Sequence, residues 1–422
     1  IDMQSYLIKD ALGGNLVALK LAAAADRGVR VRLLMDDALT EEVDPGLLSL
    51  DEHDGIEVRV FNPFPRRRSR LISFFANFNV LNRRMHNKSF TIDNKVTIVG
   101  GRNIADEYFE TGGTTEFLDE DLLAIGAPVD DVSDGFDEYW NSPEAMPMSA
   151  FDRMVAHSEF GDSLTAAHEL LQEHLDGPFL GTVDNDIMER FDAGTLDLIP
   201  AHVEVIQDHP DKVRHRRWRR SYESLEYLMQ MVSAADKEVV IISPYFVPEK
   251  QGVEFFATLA TKGVRIVIIT NSLASTNHKS VHAVYARHRK PLLRQGVELY
   301  ELRPRYESMV TDTDLTLHSK VLTVDRKRTF VGSFNLDPRS LYLNTELGLA
   351  VDSAKLATDM ATSILDLLPD LAYKLSLSPR GRLQWLLQKG GVEEVITTEP
   401  RTSWWLRLRT WLTGLLPIEG QL

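Results

Sequence analysis

An α/β protein made of two copies of one unit, each with a mostly parallel sheet covered on both faces, is the fold this sequence predicts. Three observations carry it. A helix–glycine–strand word occurs twice, a short glycine-led strand follows each copy, and one polar spacing recurs in step with both. Residues 16–35, LVALKLAAAADRGVRVRLLM, read as a helix, a glycine turn and a buried strand, and residues 253–269, VEFFATLATKGVRIVII, read the same way. Gly28 and Gly263 end the two helices where a left-handed residue is wanted, and Val/Ile-rich runs follow. The next strands are Gly55-Ile56-Glu57-Val58-Arg59-Val60 and Gly296-Val297-Glu298-Leu299-Tyr300. A helix between successive strands gives βαβ units and parallel pairing.

The repeats divide the chain into a first half at 1–150, a connector at 151–200, a second half at 201–370, and a tail at 371–422 that carries an amphipathic helix. With 43% hydrophobic residues the chain can bury a large core, which excludes a disordered class. A net charge of -15 argues against a protein that coats nucleic acid. The absence of cysteine excludes disulfides, thiolate metal sites and cysteine nucleophiles. No apolar run is long enough to span a bilayer. The opening, Ile1-Asp2-Met3-Gln4, alternates like a strand and has no initiator methionine, so the sequence reads as a fragment whose N-terminus, with any anchor or signal, lies upstream.

Each half holds one H-x-K-x4-D spacing: His86, Lys88 and Asp93, then His318, Lys320 and Asp325. The register continues, with Gly100 and Gly332 each 14 residues after their histidine and Asn103 and Asn335 each 17 after. A single H-x-K is ordinarily a strand with one polar face. Two full copies inside two repeats are not accident. Histidine and lysine at i and i+2 point to one face of a strand, and the apolar run behind them is the rest of that strand. Imidazole can attack phosphorus or shuttle a proton near neutral pH. Lysine and asparagine donate to phosphoryl oxygens as charge accumulates. Two lysines and two asparagines around one phosphate require no metal or other cofactor. Two halves packed face to face place a histidine on each side of the phosphorus.

These motifs, with Gly100-Gly101-Arg102-Asn103 and Gly332-Ser333-Phe334-Asn335, resemble the phospholipase D superfamily. Ile242-Ser243-Pro244-Tyr245-Phe246-Val247-Pro248 and Asn335-Leu336-Asp337-Pro338-Arg339-Ser340, followed by Asn344-Thr345-Glu346, resemble its bacterial cardiolipin synthase branch. The resemblance implies two α/β/α sandwiches joined along a pseudo-twofold cleft. It implies a phosphatidyltransferase that makes cardiolipin from phosphatidylglycerol and a second phospholipid through a phosphatidyl-histidine, peripheral to the bacterial inner membrane. It assigns His86 as nucleophile and His318 as acid and base, with the reverse as the rival. Glu346, 28 residues after His318, is the implied carboxylate that holds an imidazole; its counterpart in the first half is Asp119, or Asp121 across a longer loop. Asp93 and Asp325 are expected to anchor the motif strands. The alternatives are a phospholipid hydrolase or, further off, a phosphodiesterase or nuclease of the same superfamily. Intact motifs in both halves argue against a third reading, a non-catalytic membrane module.

Phospholipids and an anionic membrane surface are the expected partners, with no nucleic acid. Residues 66–84, RRRSRLISFFANFNVLNRR, put Arg66, Arg67, Arg68 and Arg70 beside Phe74, Phe75 and Phe78, just before the first motif. A basic, aromatic-rich segment suits an anionic lipid interface; the alternative is a helix packed on the body with its arginines in water. In the tail, Trp404, Leu408, Trp411, Leu412 and Leu415 share one helical face, which fits either lipid or the protein's own core. The basic run from Lys212 to Arg220 is the strongest argument for nucleic acid, set against a solvated helix start or a headgroup contact.

Overall fold

The computed structural model describes residues 1–37, 44–64, 82–109, 114–154, 193–214, 222–305, 313–417 and 419–421, with 165, 167–170, 172 and 189–191 between the halves. Its first half contains β1 (Asp2–Ser5), α1 (Leu12–Asp26), β2 (Val31–Asp36), α2 (Asp44–Asp51), β3 (Ile56–Phe61), β4 (Ser89–Ile92), β5 (Val96–Gly100), β6 (Thr115–Leu118), β7 (Asp121–Ile125), α3 (Ala127–Trp140) and β8 (Ala145–Pro147). The second contains β9 (His202–Gln207), α4 (Glu223–Ser233), β10 (Glu238–Ile242), α5 (Glu249–Thr261), β11 (Arg265–Asn271), α6 (Lys279–Arg294) and β12 (Glu298–Leu302). It continues through β13 (Asp314–Leu317), β14 (Val321–Val324), β15 (Arg328–Gly332), α7 (Pro338–Tyr342), β16 (Leu347–Asp352) and α8 (Ala354–Leu371). Last come β17 (Ala372–Leu377), β18 (Leu383–Lys389), β19 (Val392–Ile396) and α9 (Trp404–Gly414).

One sheet runs β7-β5-β4-β1-β2-β3-β8 and the other β19-β18-β17-β12-β11-β10-β14-β15-β16-β9. The duplication is visible in the matching orders β7-β5-β4-β1-β2-β3 and β16-β15-β14-β10-β11-β12. The helix-linked strands β1-β2-β3 and β10-β11-β12 are parallel, as expected. The expectation of mostly parallel sheets does not extend beyond them. The motif strands join antiparallel, β4 to β1 and β14 to β10, and each folds straight back on its neighbour. The turn chemistry gives the reason. Asp93 and Asn94 (φ 54° and 50°) and Asp325 and Arg326 (φ 53° each) form turns of two left-handed residues, closed by bonds of 3.0 Å from Lys95 N–H to Ile92 and from Lys327 N–H to Val324. Such a turn makes a hairpin, and aspartate tolerates its first position. Gly28 and Gly263 sit at φ 87°, at the predicted helix ends.

Residues 372–396 are not a free tail. They add β17, β18 and β19 to the second sheet beyond β12.

The halves share packing. Val99 and Val132 of the first cluster with Leu347, Leu349 and Val351 of the second, and β6 pairs in parallel with β13 across the boundary. This shared apolar surface holds the two motif ends against each other.

Candidate active site

The histidines and lysines stand just ahead of β4 and β14, at the entrance to the strands rather than within them. Their backbones are taken up by the opposite half. His86 N–H donates to Thr345 O at 2.9 Å, and Thr345 N–H donates to Arg84 O at 2.9 Å. His318 and Ser319 N–H both donate to Leu118 O, at 2.8 and 2.9 Å. Each histidine therefore lies beside the residue that precedes the other half's carboxylate.

This interlock pairs the rings crosswise. His86 Nδ1 is 2.9 Å from Glu346 Oε2, and His318 Nδ1 is 2.6 Å from Asp119 Oδ2. Of the two candidates in the first half, Asp119 reaches an imidazole; Asp121 pairs with Arg102 instead. Glu346 serves the histidine of the first half, although the resemblance sets it by its distance from His318. The tautomers follow from the acceptors. Nδ1 of His86 faces the Glu346 carboxylate and the Ser333 carbonyl at 3.1 Å, both of which only accept, so Nδ1 carries the proton and Nε2 keeps its lone pair. No described residue hydrogen-bonds that Nε2. Nε2 of His318 is instead 3.3 Å from the Tyr108 hydroxyl and 3.3 Å from Lys320 Nζ.

All eight predicted catalytic side chains are buried: His86, Lys88, Asn103, Asp119, His318, Lys320, Asn335 and Glu346. Burial disfavours charge and sets the site's electrostatics. It pulls Lys88 down to about 7, helped by Lys320 and opposed by Glu346. It pulls Lys320 down to about 8 against the attraction of Asp119 and Glu346. His86 is lowered by burial despite Glu346. His318 falls to about 3, through burial and the ammonium of Lys320, whose nitrogen lies 2.8 Å from Nδ1. Burial would raise Asp119, but Lys320 and His318 outweigh it and hold the carboxyl at about 2. Burial likewise opposes the ionisation of Glu346, yet His86, Ser333 and Lys88 keep it below its ordinary value. The free site thus holds two carboxylates, two lysines that lose their charge easily and two neutral rings.

The asparagines behave less simply than the sequence suggests. Asn103 Nδ2 donates to the Tyr108 hydroxyl at 2.8 Å, and the Asn335 backbone N–H donates to Ser340 Oγ at 3.2 Å. Three supporting residues escaped sequence reasoning. Tyr108 links Asn103 to His318 and carries no motif signal. Asp208 takes Glu346 N–H at 3.1 Å and Lys212 Nζ at 2.8 Å, so Lys212 is a buried ion-pair partner rather than part of a nucleic-acid surface. Asp36 accepts from Met85 N–H at 2.8 Å and Arg84 Nη1 at 3.3 Å, fixing the chain just before His86. The spacing of these residues from the motifs has no period that a sequence could show.

Asp325, in the turn after β14, takes the backbone N–H groups of Asp236, Lys237 and Glu238 at 2.7–2.9 Å, at the start of β10. Asp93 holds the same left-handed turn position after β4. Arg66, Arg67, Arg68, Arg70, Phe74, Phe75 and Phe78 lie outside the described residues, as does the run from His215 to Arg220. Among the described residues no group of three histidine or acidic side chains is placed to hold a metal. An apolar cavity of about 210 Å³ lies between α4, α5 and the second sheet; Leu228, Phe256 and Phe330 line it, with Lys320 also in its wall.

Two sandwiched halves that share one His/Lys/carboxylate centre define a phospholipase D-like phosphoryl-transfer fold, and the chain belongs to the PLD-like cardiolipin synthase family. The family model described as "Cardiolipin synthase, PLD-like domain" matches residues 1–139 and 228–367. Cardiolipin synthase C of Escherichia coli K12 is 40% identical over 99% of this chain and 90% of its own length. A cardiolipin synthase of Staphylococcus aureus is 24% identical over 94% of this chain and 68% of its own length. The fold also matches the crystal structure of the phosphatidylserine synthase of Haemophilus influenzae, with a TM-score of 0.61 at 12% identity, covering all of this chain and 90% of that one.

Proposed function

We propose that the chain transfers a phosphatidyl group from one phospholipid to a headgroup hydroxyl of phosphatidylglycerol, making cardiolipin at the bacterial inner membrane. The observation that carries this reading is the crosswise pairing of each buried imidazole with the other half's carboxylate, which makes one site from two halves. Nε2 of His86, the ring nitrogen left open, attacks phosphorus. The bond to the departing alcohol breaks, and its oxygen takes a proton from Nε2 of His318. In the second step His318 takes the proton of the phosphatidylglycerol hydroxyl, that oxygen attacks phosphorus, and the phosphorus–nitrogen bond breaks. Lys88, Lys320, Asn103 and Asn335 hold the phosphoryl oxygens, while Glu346 and Asp119 orient the rings.

His318 is neutral in the free site, yet the first step needs it protonated. The incoming phosphodiester works against this: burial depresses the ring first and the Lys320 ammonium second, and the substrate's negative charge offsets the ammonium. The substrate thereby raises the pKa of its own acid catalyst. The apolar cavity that Lys320 helps to line agrees with a substrate that carries acyl chains.

The test is expression in a bacterial host that lacks cardiolipin synthases, followed by lipid analysis. New cardiolipin is expected, and phosphatidic acid alone would mark hydrolysis and overturn transfer. Labelled lipid trapped on the enzyme in mild acid should map to His86; label on His318 would reverse the two roles.

A further inference from the structure

The C-terminal helix α9 is packed inside out. Residues 404–414 read WWLRLRTWLTG, and the residues that this helix buries are Thr410 and Gly414. Trp404, Trp405, Leu408, Trp411, Leu412 and Leu415 are instead left between 38% and 63% exposed. A soluble amphipathic helix does the reverse. The arrangement is held in place by fit. Gly414 lies against the carbonyl of Ala283 on α6, where an added Cβ would come within 2.9 Å, and Arg287 donates to the Gly414 carbonyl at 3.1 Å. Rotating the helix to bury its tryptophans would bring bulk to the position that only glycine fits.

We infer that this outward face is a membrane-docking surface for anionic phospholipid, and that it sets the active site against the bilayer. Three observations favour a lipid surface as the occupant. The exposed stripe is rich in tryptophan, whose ring suits the headgroup boundary. The helix carries Arg407 and Arg409 and no acidic residue, in a chain whose net charge is -15, so the patch is locally cationic where the molecule as a whole is anionic. The segment that follows the helix is also tied to α6 and to residues beside both catalytic motifs. Gln421 accepts from Asn82 at 2.9 Å and from Arg339 at 3.1 Å, and Glu419 accepts from His288 at 2.8 Å and from Arg287 at 2.5 Å. Asn82 stands four residues before His86, and Arg339 four after Asn335. A lipid surface on α9 is therefore linked through Gln421 to the segments that carry His86 and Asn335. No helix among the described residues is long and apolar enough to cross a membrane, so α9 lies in the interface rather than spanning it.

The experiment uses the full chain and vesicles of phosphatidylethanolamine with phosphatidylglycerol, read by co-sedimentation and by tryptophan emission. Partitioning is read without turnover, so its outcome is separate from that of the transferase reading. The parent chain should bind with a blue shift. Combining Trp411→Glu with Leu415→Glu should weaken partitioning by at least roughly 30-fold, two apolar side chains being lost from the interface. Arg409→Gln should weaken it about fivefold, and only for vesicles that contain phosphatidylglycerol. Both variants change exposed positions, and unchanged circular-dichroism melts would show that they remain folded. Wild-type vesicle binding by the double variant would overturn the inference. So would a shift from oligomer to monomer with vesicle binding intact, which would make the face a contact between copies of this chain.

Discussion

Glu346→Gln and Asp119→Asn remove one charge each while keeping shape, and the crosswise geometry makes them fail differently. Glu346 is 1% exposed and accepts from the Nδ1–H of His86. In the proposed intermediate, with phosphorus bonded to Nε2, that ring would carry a full positive charge, so the carboxylate would stabilise the transition state more than the ground state. A charge-assisted hydrogen bond contributes about 1.5–3 kcal/mol, so Glu346→Gln should lower kcat about 10- to 150-fold. The Ser333 carbonyl at 3.1 Å continues to accept the Nδ1 proton and keeps the tautomer. No such backbone acceptor among the described residues backs up Asp119. An asparagine amide can turn its nitrogen to Nδ1 of His318 and select the wrong tautomer, a change that costs about 10⁴-fold in a serine-protease triad. The decisive assay compares a phospholipid with a phosphodiester that releases 4-nitrophenol, a leaving group that needs little protonation. Asp119→Asn impairs the acid, so the activated substrate should restore most of its loss. Glu346→Gln impairs the nucleophile, and its deficit should persist. The reverse pattern would place each carboxylate with its own half's histidine in function, or exchange the roles of the rings. Near-parent kcat in both variants would refute the reasoning entirely.

The remaining predictions concern the rings, the lysines and the turn. His86→Ala or His318→Ala should each lower turnover by several orders of magnitude, with the double variant no worse, because residues that act as a unit are not additive; substantial activity in either single variant would defeat the composite site. The alkaline limb of kcat/KM should fall near pH 7–8, far below the range of an ordinary lysine, because Lys88 (about 7) and Lys320 (about 8), proposed to hold the phosphoryl oxygens, lose their charge as pH rises. In Glu346→Gln that limb should move to still lower pH, since Glu346 is the main charge supporting the Lys88 ammonium; a profile flat to pH 10 would contradict both statements. Asp325→Ala should lower the urea-unfolding free energy at pH 7 by about 1–2 kcal/mol through lost hydrogen bonds to β10. The folded-state pKa of Asp325 is depressed, so this contribution is present above the ordinary carboxylate pKa and fades as pH falls through the folded value; an equal deficit at pH 2 would show that the carboxylate charge is not the cause.

Local chemistry accounts for what could be read without coordinates. The words around Gly28 and Gly263 announce helix, turn and strand because a helix end needs a left-handed residue and a buried parallel strand needs an apolar run. The H-x-K-x4-D spacing is legible for the same reason, since histidine, lysine and the turn aspartate lie within eight residues of one another. The expected mostly parallel sheets were too broad an extension of the βαβ pattern. The left-handed pairs Asp93-Asn94 and Asp325-Arg326 turn each motif strand back on its neighbour, and neither Asp-Asn nor Asp-Arg is the Asn-Gly or Asp-Gly pair that signals such a turn in a sequence.

The duplication, the residue types of the centre and their matched register are all legible in the chain alone, because these are properties of one stretch at a time. Which carboxylate meets which imidazole is set by the packing of one half on the other. Thr345 and Leu118 bond across the boundary between halves, so each ring is oriented by a residue 199 or 260 positions away. Tertiary packing also decided the fate of the C-terminal helix, whose apolar stripe fitted core and lipid equally well on paper. The close approach of Gly414 to Ala283 fixed the rotation that leaves the tryptophans outside. In both cases the deciding quantity is a distance between segments remote in sequence, and no periodicity or spacing within either segment encodes it.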